Sequence, residues 1–147
     1  MRDTVASVDG HALSVADLLQ HARVTGGQEF VERAIDNHLI WREVERRGVA
    51  VSSSDIDETF ARSFPSRAPE SAMPSEREAI RKTIAFGKLK RIVAQELLGE
   101  GGPALLARLD RQAHAAMLDV LFLFWLRETR RAAAIDIHLD TLLTEVA

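Results

Sequence analysis

The feature that most constrains the fold is a pair of short strand-like segments at opposite ends of the chain. Residues 4–8 are rich in β-branched side chains, and Asp9-Gly10 follows them as a hairpin-turn signal. Residues 134–139 alternate apolar and polar side chains, as a half-exposed strand does. A lone strand would leave its backbone hydrogen-bonding groups unpaired, so we expect Val5–Val8 to lie beside Ile135–His138 in one small sheet.

Helical patterns with recognisable start and stop signals fill the sequence between these ends. The predicted helices are a Ser14-capped helix to about Thr25, Gln28–Arg47 before Gly48, a Ser52-capped helix to about Phe64, Ser75 to about Leu98, and Pro103 to about Ala133. Three prolines between residues 63 and 75 predict a flexible loop there. We therefore predict a mainly α fold of five to six helices with a small sheet formed by the two terminal strands, in a single domain covering residues 1–147.

Composition argues against several classes of protein. The chain has no Cys, which excludes disulfides and thiolate metal sites. Its net charge of -3 lacks the basic character typical of nucleic-acid binding, so no nucleic-acid partner is expected. The most apolar run, Ala115–Leu126, has twelve residues and contains Asp119, whereas a membrane-spanning helix needs about 20 apolar residues. No membrane partner is expected either.

The N-terminal residues bear on where the protein acts. The sequence Met1-Arg2-Asp3-Thr4 becomes polar at once and lacks the apolar stretch of a signal peptide. If Met1 is the natural start, we expect a cytoplasmic protein. If the natural chain begins earlier, a periplasmic location is the alternative.

Five segments, taken in order, resemble parts of one known module. They are Val5–Gly10, Ile35–Glu43, Arg47–Ser52, Phe124–Arg127 and Ala134–Leu139. Their order and spacing resemble the N-terminal helical chaperone domain of SurA-type and PrsA-type proteins, over roughly residues 4–62 and 118–140. The resemblance implies a helical chaperone-like scaffold whose first strand and last segment come together.

The same resemblance implies that one part of the family pattern is missing. SurA-like proteins carry parvulin peptidyl-prolyl isomerase domains before the last helix, and Gly99–Met117 occupies that insertion point here. No segment resembles the parvulin Gly-Gly-Asp-Leu-Gly signature or its paired His residues. We therefore expect a scaffold without prolyl isomerase activity.

Asp119 is the first candidate for a functional side chain. Its neighbours three and four positions away on a helix are small or apolar, so no basic partner is available locally. Its carboxylate must be exposed, bonded to another element, or desolvated with a raised pKa. The functional interpretation is a ligand-contacting acid or general base in an apolar cavity; the structural one is a paired or solvated carboxylate at the edge of its helix.

His38 is the second candidate, because it lies on the apolar face of the helix predicted for residues 28–47. Arg42 follows one turn later on the same face. His38 could act as an acid or base and Arg42 as an anion clamp in a pocket. The structural alternative is an interior His with satisfied hydrogen bonds and an Arg that extends to solvent.

Aromatic side chains at helical spacings suggest a peptide or ligand groove. They are Trp41, Phe122, Phe124 and Trp125, and ordinary core packing is the alternative. The i, i+4 pair Asp110 and His114 lacks the further ligands that a zinc site needs. We expect no metal site and no cofactor.

Three functions remain open at this point. The first is a stand-alone SurA-like module that binds a peptide or an unfolded polypeptide. The second is a small enzyme of a specialised biosynthetic pathway, with Asp119 and His38 transferring protons on a small-molecule or peptide substrate. The third is an assembly piece that forms a homodimer.

Overall fold

A computed structural model describes residues 4–14 and 28–137 of the chain. The described elements are β1 (Thr4–Val8), β2 (His11–Ser14), α1 (Gln28–Arg46), α2 (Ser53–Ser63), α3 (Pro74–Leu98), α4 (Gly102–Ala107), α5 (Arg111–Ala132) and β3 (Ile135–Ile137). The fold is mainly α with one small antiparallel sheet, which confirms the predicted class. In the described residues, no helix is both long and apolar enough to cross a membrane.

The sheet joins the two ends of the sequence, as predicted. Its strand order is β2-β1-β3, with both neighbours antiparallel to β1. Val8 lies opposite Ile135 and Ala6 lies opposite Ile137; His138, which the prediction included, lies outside the described residues. Strand β2 was not predicted: Ser14 ends this strand, and the helix predicted after it lies outside the described residues.

The described residues group into two compact units. Unit 1 contains the described residues as far as Arg42 and those from Leu123 onward, and unit 2 is the continuous stretch Glu43–Phe122. Helices α1 and α5 each run from one unit into the other. The single domain expected for residues 1–147 stays a prediction.

Unit 1 is closed by Asp9 at the tip of the β1–β2 hairpin. Asp9 has a positive φ of 51°, a conformation that Asp tolerates better than most residues. Its backbone N–H donates to Ala134 O at 2.8 Å, and its Oδ1 accepts from Ala134 N at 2.7 Å. Its other carboxylate oxygen pairs with Arg42 on α1. One side chain therefore ties together the hairpin, α1 and the residue that precedes β3.

The interior of unit 1 is apolar. Its buried side chains are Ala6, Val8, Leu13, Val31, Ala34, Ile35, Leu39, Ile40 and Leu126. In α1 these positions recur every three or four residues, which is the spacing that places side chains on one face of a helix.

Unit 2 is built from helices with local start signals. Ser52 caps α2 because its side chain accepts from Asp55 N at 3.0 Å while the Asp55 carboxylate accepts from Ser52 N at 3.4 Å. Helix α3 begins one residue before the predicted Ser75, at Pro74. The buried apolar side chains of the unit are Val44, Ile56, Phe60, Ala85, Leu89, Val93, Ala94, Leu106 and Phe122.

The long helix predicted from Pro103 to about Ala133 is wrong, because the structure divides it into α4 and α5. The break lies at Asp110, whose Oδ1 accepts from Ala113 N at 2.8 Å. A short acidic side chain that bonds to a nearby backbone N–H favours a helix start over a helix interior. Asp110 is thus the cap of α5, and its side chain is used there.

Within the segment of residues 63–75, Arg67 contacts both its own loop and the two flanking helices. The Arg67 guanidinium pairs with Glu76 at 2.9 and 3.1 Å and donates to Ser71 O at 3.2 Å. It also stacks over the rings of Phe60 and Phe64, at 5.0 and 5.3 Å from their centroids. A 3-10 turn, Pro69–Ser71, lies inside the segment. The predicted flexibility of this loop stays a prediction.

Candidate functional site

Helix α5 exposes large apolar side chains in unit 1. Leu123 is 64% exposed and Phe124 is 53% exposed, although both belong to the most apolar run of the sequence. A helix that is apolar on every side needs burial on every side, and these two positions do not receive it. Exposed apolar side chains that lie next to one another are a common mark of an interaction surface.

Three of the four aromatic residues of the predicted groove lie in the same apolar run. Phe122 is buried in unit 2, where its ring meets the Phe86 ring edge-on at 5.0 Å. Trp125 is half-buried in unit 1. Phe122 therefore packs in the core, which was the alternative to a groove. Phe124, another member of the aromatic group, is exposed. Leu123 was missed, since a run whose only polar residue is Asp119 gives little indication of which face is buried.

A cavity of about 400 Å³ lies in unit 1 beside Leu123. It is lined by Glu32, Asp36, Leu123, Leu126, Arg127, Arg130 and Arg131. The volume falls within the range of about 300–1,000 Å³ that is typical of ligand pockets. Its wall combines two leucines with a dense set of charges, so it suits an apolar group that has a polar or charged neighbour.

Most of the charge in this cavity is already paired. Arg130 donates to Asp36 Oδ1 at 2.6 Å and also pairs with Glu32. Burial alone would lower the pKa of Arg130, but the hydrogen bonds and charges of Asp36 and Glu32 outweigh it and raise the pKa. Arg130 is thereby held against α1 as a permanent cation, and it pairs there with two carboxylates.

The other two arginines of the cavity differ from Arg130. Arg131 donates to Glu128 Oε1 at 3.0 Å on its own helix. Arg127 is exposed, and in the part of the chain that the structure describes no carboxylate lies within ion-pair distance of it. Arg127 follows Leu123 by four positions and Phe124 by three, so its side chain shares their helix face.

Three further predicted site residues lie on α1 in unit 1. Arg42 pairs with Asp9, so it holds the fold of the unit together. The His38 ring lies 6.0 Å from the His11 ring, centroid to centroid, with the planes tilted by 44°. Trp41 is half-buried. Whether these residues contact a ligand stays a prediction.

Asp119 belongs to unit 2 and is exposed. Its side chain retains 60% of its accessible surface, and Oδ1 accepts from Lys90 Nζ at 2.5 Å. The same ammonium lies 4.6 Å from the centroid of the Phe86 ring. Asp119 is thus a paired carboxylate at the solvated edge of its helix, as the structural interpretation of the sequence described it.

The described residues of unit 2 also line two smaller cavities, of which neither is lined by a large exposed apolar side chain. One, of about 340 Å³, lies between α2 and α3 and is mainly polar, with Lys88 paired to Asp55 at 3.2 Å. The other, of about 240 Å³, is lined by Leu106, His114 and Leu118 among others. It is smaller than most ligand pockets. The Leu123–Phe124 surface with its adjoining cavity is therefore the strongest candidate site.

Comparison with known proteins adds no assignment. No protein-family model matches the chain, and no curated protein matches it. Within residues 4–14 and 28–137, no three His, Asp or Glu side chains are grouped so that they could hold a metal ion.

Proposed function

We propose that the protein is a stand-alone SurA-like, chaperone-like module that binds peptides or unfolded polypeptides and lacks prolyl isomerase activity. One observation carries the proposal: Leu123 and Phe124 are more than half exposed beside an open cavity of unit 1. An unfolded chain presents the apolar side chains that this surface would cover.

The expected affinity is low, as suits transient holding. Full burial of one Leu or Phe side chain contributes about 1.5–3 kcal/mol. Two such side chains contribute about 3–6 kcal/mol before the entropy lost on association is subtracted, so these contacts alone correspond to a Kd in the millimolar range or weaker. Backbone hydrogen bonds from an extended peptide would add to this, but they would not make binding selective for one sequence.

The enzymatic alternative has less support. It required Asp119 in an apolar cavity, and the Asp119 carboxylate is exposed and paired with Lys90. Its other proton-transfer residue, His38, lies on α1 with its ring 6.0 Å from the His11 ring, and its catalytic role stays a prediction.

The test uses a client that is unfolded but stays in solution, namely reduced and carboxymethylated α-lactalbumin. Fluorescence anisotropy should report binding of this client and not of native α-lactalbumin. The double substitution Leu123→Ser with Phe124→Ser should weaken binding by at least about tenfold, because it removes both apolar contacts.

The matched control is Leu105→Ser, which changes an apolar residue in unit 2 that is 45% exposed. It should leave the affinity within about twofold of the unsubstituted protein, since Leu105 lies outside the proposed surface. Equal losses in the double variant and the control would show that binding is a general property of exposed apolar groups and would refute the proposal. Absence of binding by the unsubstituted protein would refute it as well.

A further inference from the structure

The unit 1 cavity carries a charge pattern that deepens the proposed function and rests on it. We propose that this site prefers segments in which an Asp or Glu side chain lies two residues from a large apolar side chain. The apolar group would cover Leu123 and Phe124, and Arg127 would pair with the carboxylate. The occupant is thus an acidic, extended segment within an unfolded polypeptide.

Arg127 is the arginine of the cavity that forms no ion pair with any carboxylate of residues 4–14 and 28–137. Arg130 is held by Asp36 and Glu32, and Arg131 is held by Glu128. Among the described residues, no carboxylate pairs with Arg127, and its guanidinium has five N–H donors available. A planar guanidinium binds a carboxylate through two parallel hydrogen bonds, which a lysine cannot do.

The spacing on α5 matches the spacing of an extended peptide. Residues four apart on a helix, such as Leu123 and Arg127, have Cβ atoms about 5–6 Å apart on one face. In an extended chain, residues i and i+2 point to the same side and lie about 6–7 Å apart. An apolar residue and an acidic residue two positions later can therefore meet Leu123 and Arg127 together.

The surroundings favour an internal carboxylate over a chain terminus. Leu123, Phe124 and Arg127 are exposed along the side of α5, with further helix on both sides of them. An extended chain lying along this face can continue in both directions. A terminal carboxylate would need no such continuation, so it is the alternative to be distinguished.

The test compares three labelled peptides of Gly and Ser, each of which contains one Phe-Leu pair. The first has Glu two residues after Leu and an amidated C-terminus. The second has Gln in place of Glu. The third keeps the Gln but ends in a free carboxylate two residues after Leu. Anisotropy titrations should show about threefold to fivefold tighter binding of the Glu peptide than of either other peptide, with the preference lost in high salt.

The protein variants assign this preference to one side chain. Arg127→Gln should abolish the preference for Glu while the Gln peptide binds as before. The matched control, Arg111→Gln, alters another exposed arginine of α5 and should keep the preference. Circular dichroism should confirm that both variants remain folded.

Any one of the following results would overturn the inference. The Glu and Gln peptides could bind equally, or Arg127→Gln could retain the preference; in both cases the proposed function survives without the charge selection. The free-carboxylate peptide could bind best, which would replace the internal carboxylate with a chain terminus. If no peptide binds while the unfolded α-lactalbumin does, the acidic motif is wrong; if neither binds, the proposed function fails with it.

Discussion

Unit 1 and unit 2 reach a folded state by different means. Unit 1 joins two distant parts of the sequence, and its ties span long separations: Asp9 and Ala134 are 125 positions apart, and Asp36 and Arg130 are 94 apart. Unit 2 is one continuous stretch whose helices pack through apolar side chains. Closing a long loop costs more entropy than closing a short one, so the contacts of unit 1 must offset a larger closure cost.

The largest loss of stability is expected from a substitution in the core of unit 2. Phe60 is fully buried, and Phe60→Ala should lower the free energy of unfolding by about 3–5 kcal/mol through lost burial and the cavity left behind. Urea denaturation followed by circular dichroism measures this change. A loss below about 1 kcal/mol would mean that the unit is not held by its apolar interior.

The second test removes a long-range tie of unit 1. Arg130→Met keeps most of the side-chain volume but leaves Asp36 and Glu32 close together without their cation. We expect a loss of about 1–2 kcal/mol, smaller than for Phe60→Ala because the group is partly exposed. The control is Arg131→Met, whose partner Glu128 is on the same exposed helix surface; it should cost less than about 0.5 kcal/mol.

The third test uses pH to isolate the charge of Asp9. The hydrogen bond from Ala134 N, followed by that from Arg42, lowers the pKa of Asp9 below its ordinary value of 3.8. The stabilisation is therefore present above about pH 4 and is lost as pH falls through the lowered pKa. Asp9→Asn retains an oxygen for Ala134 N and tolerates the positive φ, so it removes mainly the charge.

Asp9→Asn should melt at a lower temperature than the unsubstituted protein at pH 7. The difference should shrink as pH falls below 3.8, where the Asp9 carboxylate of the unfolded chain takes up a proton, and it should vanish below the lowered pKa, where the native carboxylate is protonated as well. Thermal melts at several pH values measure it. A difference that stays constant down to pH 2 would show that the Asp9 charge does not stabilise unit 1.

The smallest effect is expected at Asp119. Its ion pair with Lys90 is at the surface of unit 2, and Asp119→Asn should change the free energy of unfolding by less than about 1 kcal/mol. Binding of the unfolded α-lactalbumin should be unchanged. A large loss of binding with an unchanged melting temperature would instead return Asp119 to the candidate site.

Local signals in the sequence predicted much of the fold. The features that they missed depend on contacts between elements and on which side of a helix is buried. The Ser52 cap, the Gly48 stop and the pairing of the terminal strands follow from residues adjacent in sequence or from unpaired backbone groups. The break at Asp110 was missed because no Gly or Pro marks it and residues 111–117 again suit a helix.

The candidate site was harder to predict than the fold. The run that contains Phe122 and Phe124 is apolar except at Asp119, so spacing could not tell which of its apolar residues face the core. Arg42 has its partner 33 positions away in the hairpin, a contact that no local pattern reveals. The choice between functions was open for the same reason, since it depended on which side chains are exposed.

The most direct measurement of the central claim is a methyl NMR titration with leucine methyl labels and reduced, carboxymethylated α-lactalbumin. We expect the Leu123 methyl signals to shift or broaden as the unfolded client is added, while those of Leu105 remain in place. Shifts at Leu105 with none at Leu123 would contradict it, because binding would then occur in unit 2 and away from the proposed surface.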